Sequence, residues 1–121
     1  MDNRHVCSVS EWMDLPELPV PRLASVKESG AVFSVLKVGF LLVDVAACRA
    51  AGLAALPIAV GKCALASVTV EEAGRRTLHR LPLSLSEWAL DEVALARHGV
   101  RTYPAKIEFG CIADRHYAEI Y

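Results

Sequence analysis

The sequence predicts an α+β domain: one largely antiparallel sheet with two main helices on one face, in the ferredoxin-like βαββαβ order plus a C-terminal strand. A small barrel-like sheet is the alternative. Three observations carry this expectation. The stretch Ala31 to Val70 holds only the charged residues Lys37, Asp44, Arg49 and Lys62, so the rest of the chain has to cover it. Segments of alternating apolar residues are interleaved with segments of helical period. Finally, 121 residues is the size of one domain, enough to bury a core without a disulfide or metal. The expected division is an N-terminal arm over 1–30 and a single domain over 31–121.

In chain order, Ser8 to Leu15 has Ser8 and Glu11 at the spacing of a capping box, which predicts a helix of one or two turns ended by Pro16. Pro16, Pro19 and Pro21 then hold the chain extended. Pro16 and Pro19 also match the spacing of a PxxP recognition peptide, but the prolines stop after one repeat, and a stiff strap laid across the domain is the better reading. Ala31 to Val43, rich in β-branched residues and apolar on both faces, reads as a central strand. Asp44 precedes the alanine-rich VAACRAAGL, a short helix with Gly52 to end it.

After Pro57 the pattern returns to strand, with Ala64, Ala66, Val68 and Val70 alternating against Leu65, Ser67 and Thr69. Glu71 to Arg75 supplies the turn of a hairpin whose return strand is TLHRLPL, and Pro82 places the end of that strand at a sheet edge. Ser84 and Glu87 have capping-box spacing and open the strongest helix of the chain, closed by Gly99. Trp88, Ala89, Leu90, Val93 and Ala96 are expected on its core side. The last segment, AKIEFGCIADRHYAEIY, reads as a second hairpin with its tip at Ala113, Asp114 and Arg115.

The hydrophobic share of 54% with only 7% aromatic residues reflects small aliphatics and argues against global disorder. A net charge of −1 removes the general electrostatic attraction for nucleic acid or an anionic membrane. The longest uncharged run, Ala50 to Gly61, is too short to span a bilayer and contains Gly52 and Pro57, so no membrane partner is expected. The first residues carry no apolar signal region, and a cytoplasmic location follows. Cys7, Cys48, Cys63 and Cys111 lack the context of a disulfide framework, and reduced thiols are expected.

The chemistry-bearing residues are scattered. Cys111, His116 and Asp114 can be drawn as a nucleophile, base and orienting carboxylate, but Cys111 continues the apolar face of Ile107 and Phe109, where a thiol is not activated. The polar tip Asp114, Arg115, His116 and Tyr117, together with His79, forms the candidate ligand-binding set. No catalytic residue is assigned. Histidine and cysteine spacings match no regular zinc pattern, glycines match no phosphate loop, and no metal or cofactor is expected. The basic run Arg75, Arg76, His79 and Arg80 lacks the interleaved aromatics of a nucleic-acid platform.

This reading favours a non-catalytic binding or interaction module acting as a homo-oligomer, a dimer formed through the C-terminal hairpin, with a small-molecule ligand left open. The alternatives are a small cytosolic enzyme with a site at a subunit interface, using His116, Asp114 and His79, and, last, a nucleic-acid-binding protein.

Overall fold

The chain is organised on one long strand that changes neighbours partway along. In a computed structural model, which describes residues 4–6, 15–50, 52, 56–59 and 61–121, the elements are β1 (Arg4–Val6), β2 (Arg22–Leu23), β3 (Ala31–Asp44), α1 (Val45–Ala50), β4 (Leu56–Ala59), β5 (Lys62–Glu72), β6 (Arg75–Arg80), a 3-10 turn (Leu83–Leu85), α2 (Ser86–Arg97), β7 (Ala105–Ile112) and β8 (Arg115–Ile120). The helix expected over Ser8 to Leu15, and with it Trp12 and Cys7, lies outside the described residues apart from Leu15.

These strands form one mixed sheet in the spatial order β2-β7-β3-β5-β4, with β1 also on β3, β6 also on β5 and β8 on β7. The first half of β3 pairs antiparallel with β7, from Ala31 opposite Phe109 to Val35 opposite Ala105. Its second half takes β1 in parallel on that flank, while β5 runs along the other from Ser34 to Asp44. The α+β class holds, but the ferredoxin-like order does not. That plan sets the first strand beside the return strand of the Glu71–Arg75 hairpin, whereas β3 pairs with β5 and β6 lies on the far side of β5. The physical reason lies in the connection. β3 and β4 both run antiparallel to β5 and so parallel to each other, so the connection through α1 crosses over to the far side of β5, and the chain returns as β5, which fills the place beside β3 before β6 forms.

Both faces of β3 and β5 are buried, and each has its own cluster. Val35, Val38 and Phe40 on β3, with Ala64, Ala66, Val68 and Val70 on β5, join Ile107, Phe109, Ala89 and Val93 in the main core. The alternate residues Leu41, Val43, Cys63 and Leu65 pack with Cys48 of α1 in a second cluster. The helices therefore lie on opposite faces, not on one as expected, because strand alternation leaves an apolar row on each side and each row needs a cover. A register shift between Val35 and Lys37 puts Leu36 out of step and keeps Val35 and Val38 facing the same core.

The proline segment is a strap bound at both ends. Leu18 N–H donates to Arg80 O (2.8 Å), Arg80 N–H to Pro16 O (2.9 Å), and Arg80 Nε to Leu15 O (2.8 Å). Three residues on from Leu18, Pro21 O accepts from Cys111 N–H, and β2 runs parallel to the end of β7. The strap thus carries backbone pairing from β6 round to β7, and Leu18 is a member of the main core.

α2 ends as its sequence requires. Val100 N–H donates to Leu95 O and Gly99 N–H to Ala96 O, with Gly99 at φ +82°, a left-handed closure that favours glycine. Its start differs from expectation. Leu85, not Ser84, is the N-cap and no side chain caps the helix, because the Ser84 hydroxyl is turned to His116. Its buried side is Ser86, Ala89 and Val93, with half-buried Trp88 edge-on to Phe109 at 5.6 Å between ring centres. Leu90 and Ala96, expected on that side, are exposed.

Candidate functional site

The hairpin β7–β8 carries four of the five candidate residues in succession but turns three of them to different partners, and the fifth lies elsewhere. Its loop is Ala113 and Asp114, both at positive φ (50° and 62°), the two-residue turn whose twist suits a hairpin. Asp114 accepts from Arg22 of the strap at 2.8 Å, with both side chains exposed. Arg115 is exposed and, like Glu119 four pairs along the hairpin, has no side-chain hydrogen bond or ion pair among the described residues. His116 stands opposite Cys111, and Tyr117 opposite Gly110. His79 lies on β6, separated from β8 along the sheet by β5, β3 and β7, and its Nε2 is 3.1 Å from Thr77 Oγ1.

Tyr117 is the most constrained of the set. Its hydroxyl donates to Glu108 Oε2 at 2.7 Å. That hydrogen bond, then desolvation and the charges of Glu108 and Glu119, push its ionisation up to about 12. Gly30 and Gly110 leave room for the ring, since a Cβ at either would lie within 2.9 Å of Tyr117 Oη.

On the other face of β8, Ser84 Oγ and His116 Nδ1 are 2.5 Å apart. A serine beside a histidine is the start of a nucleophile-and-base pair, but such a base is oriented by a third group on its other nitrogen. Among the described residues no carboxylate bonds to His116, Asp114 being turned to Arg22. Cys111 is buried, as its apolar neighbours imply.

The basic run does not act as one patch, and only its last arginine is held by another element. Arg75 and Arg76 stand across from Glu72 and Glu71, and Arg80 holds the strap. Among the described residues no group of three or more histidine, cysteine or acidic side chains could hold a metal ion. Cys48 and Cys63 are buried together in the second cluster, and burial, followed by the hydrogen bond and charge of Cys63, pushes the Cys48 thiol up to about 11.

A concavity lies elsewhere. A groove of about 540 Å³ opens between the end of α2, the β3 irregularity and the loop leading to β7, with walls from Leu36, Val38, Ala96 and Val100. Tyr103 and Glu92 form its polar pair, Tyr103 Oη donating to Glu92 Oε1 at 2.6 Å. Burial, reinforced by that bond, pushes the Tyr103 hydroxyl far above the ordinary phenol range, so it stays protonated. Lys37 and Arg101 also line it, and neither has a side-chain partner among the described residues.

None of these residues was in the sequence-derived set, although one signal was present. Glu92 falls within the i, i+3, i+4, i+7 stripe of Ala89, Val93 and Ala96, a carboxylate on an apolar row that needs a partner.

The chain matches no protein-family model, no curated protein and no solved structure in comparisons with known proteins. Among the described residues no helix is long and apolar enough to cross a membrane.

Proposed function

We propose that this small α+β domain is a non-catalytic binding module that works as a homo-oligomer, with its ligand site in the groove between α2 and β3 and its self-contact on the hairpin β7–β8. The observation that carries the reading is the groove itself. Its volume lies in the range of small-molecule sites, roughly 300 to 1,000 Å³, and apolar walls meet two cations that have no partner among the described residues. A small organic anion with an apolar body satisfies both features. Exposed Ile120 and Tyr121, at 65% and 76%, support the self-contact.

The test uses anilinonaphthalene sulfonate, which joins an aromatic body to an anion. Its fluorescence should rise saturably on the folded chain, and Arg101→Glu or Lys37→Glu should weaken binding about tenfold while leaving the melting temperature within a few degrees. Binding unchanged by both substitutions would reject the groove. Sedimentation velocity tests the second half: a single species at the 13.1 kDa chain mass would reject the oligomer.

The Ser84–His116 contact favours one other reading, a small enzyme with a serine nucleophile. Covalent labelling of Ser84 by a fluorophosphonate, lost in His116→Ala, would support it, and absence of labelling would remove it.

A further inference from the structure

Strand β8 is an edge whose backbone groups have a determinable direction. Cys111 N–H is given to Pro21 O, on the flank of β7 away from β8, so the Cys111–His116 pair is one of the wide pairs that exchange no hydrogen bonds across β7–β8. Tyr121 N–H is given to Lys106 O, so the odd-numbered residues of this strand bond toward β7. Alternation then turns the N–H and C=O groups of His116, Ala118 and Ile120 outward, and among the described residues no strand pairs with that edge.

The side chains along the edge are self-complementary. Arg115, Tyr117 and Glu119 lie on one face at alternate positions, a cation and an anion placed symmetrically about a tyrosine.

We infer that two copies of this chain join by antiparallel pairing of β8 with β8 about a two-fold axis at Tyr117, so that each Arg115 stands opposite Glu119 of the other copy. This deepens the homo-oligomer reading given above and rests on it. The register satisfies both requirements of a sheet edge at once. His116 falls opposite Ala118 of the other copy, and both turn their backbone groups outward, so they form the narrow, hydrogen-bonded pairs. Tyr117 falls on the axis in a wide pair, where opposed side chains approach most closely.

Shifting the axis by one pair, to Ala118, keeps the hydrogen bonding but sets Tyr117 opposite Glu119 and Arg115 opposite Tyr121, with no opposite charges facing. Moving it to Glu119 opposes two carboxylates. Charge pairing therefore selects Tyr117 among the registers that the backbone permits. The contact also closes an otherwise open edge, the two-fold arrangement being the one in which a single strand can serve both partners.

The experiment uses charge reversal and mixing. Arg115→Glu leaves two carboxylates at each of the two contact points, and Glu119→Arg leaves two guanidiniums, so each variant alone should dimerise roughly tenfold or more weakly than the parent chain. Both positions are exposed, and unchanged circular dichroism will show that both variants fold. Mixed in equal amounts, the two variants regain opposite charges at both contact points, and a heterodimer should form with an affinity near that of the parent. If the parent is a dimer and mixing does not restore association, the register is wrong while the oligomer stands. If the parent is a monomer throughout the micromolar range, the oligomer reading falls and the register with it. Should the parent associate and neither reversal weaken it, the contact lies on another surface.

Discussion

The ring of Tyr117 lies so close over Gly110 that a Cβ at that glycine would fall 2.5 Å from ring carbon Cε1. Gly110 pairs with Tyr117 across β7–β8, and the tyrosine hydroxyl reaches past it to Glu108. A methyl group there must displace the ring, its hydrogen bond or the strand. Gly110→Ala should therefore cost about 1 to 3 kcal/mol, the usual range for overpacking. Urea unfolding of Gly110→Ala in the parent and in a Tyr117→Ala background measures the coupling. If the cost is the same in both, the ring is not what excludes the methyl group.

The bond from Tyr117 to Glu108 also sets a pH dependence. Its hydroxyl is raised to about 12 in the folded chain against an ordinary tyrosine value near 10. A group raised on folding lends stability that is fully present below its unfolded value and lost as pH climbs through its folded one. The contribution should thus persist to about pH 10 and disappear by about pH 12. Ultraviolet titration of phenolate absorbance should show a transition near the upper value that Tyr117→Phe removes. A transition for this residue near 10 would mean that the contact with Glu108 is not kept in solution.

On α2, Trp88 and Leu90 divide what helical period alone assigned to one side. Trp88 meets Phe109 edge-on with ring planes at 85°, while Leu90 is 48% exposed. Trp88→Ala should cost about 2 to 4 kcal/mol, somewhat under the figure for a wholly buried ring. Leu90→Ala should stay within about 0.5 kcal/mol. Equal losses at the two positions would place the helix on the core by a different face.

What could be read from the chain was what neighbours in sequence determine. The β5–β6 and β7–β8 hairpins, the alternation through Ala64 to Val70 and the stop at Gly99 all depend on contacts a few residues apart. The strand order was not legible, because nothing near Gly61 says that β5 will return between β3 and β4 and leave β6 on its far side. Ser84 and Glu87 have capping-box spacing, yet a histidine 32 residues away takes the serine. The groove depends on the loop from Gly99 to Tyr103, which carries no periodic pattern, and on the cross-element bond from Tyr103 to Glu92. The hairpin tip was placed correctly in sequence, but its residues do not converge. Asp114 bonds to Arg22, His116 to Ser84 and Tyr117 to Glu108, three partners from three different elements.

Leu18 tests whether the strap belongs to the domain. Division at residue 30 treats it as part of an arm, but its side chain is only 2% exposed and packs in the main core. Leu18→Ala should cost about 2 to 5 kcal/mol, as for an interior leucine. Pro19→Ala, at an exposed position, should cost under about 1 kcal/mol. A loss at Leu18 no larger than that at Pro19 would mean that the strap does not stay packed in solution.

The paired thiols of the second cluster give a kinetic prediction. Cys48 is raised from 9.0 to about 11, first by burial and then by the neighbouring Cys63. Alkylation proceeds through the thiolate, and two pH units of displacement leave about a hundredfold less of it at any pH well below both values. Burial in the cluster with Leu41 and Leu65 slows access further. In native protein at pH 8, Cys48 should therefore react with iodoacetamide at least about a hundredfold more slowly than in denaturant, as read by peptide mass spectrometry at timed quenches. The same displacement carries a stability sign. Holding the thiol neutral is an advantage of the folded state that is complete below the unfolded value and lost as pH rises through about 11. Total thiol after reduction, desalting and denaturation should be four per chain, from Cys7, Cys48, Cys63 and Cys111. Rapid native alkylation of Cys48 would show that α1 opens away from β5 on the timescale of the reaction, and the second cluster would then be the first part of the fold to loosen.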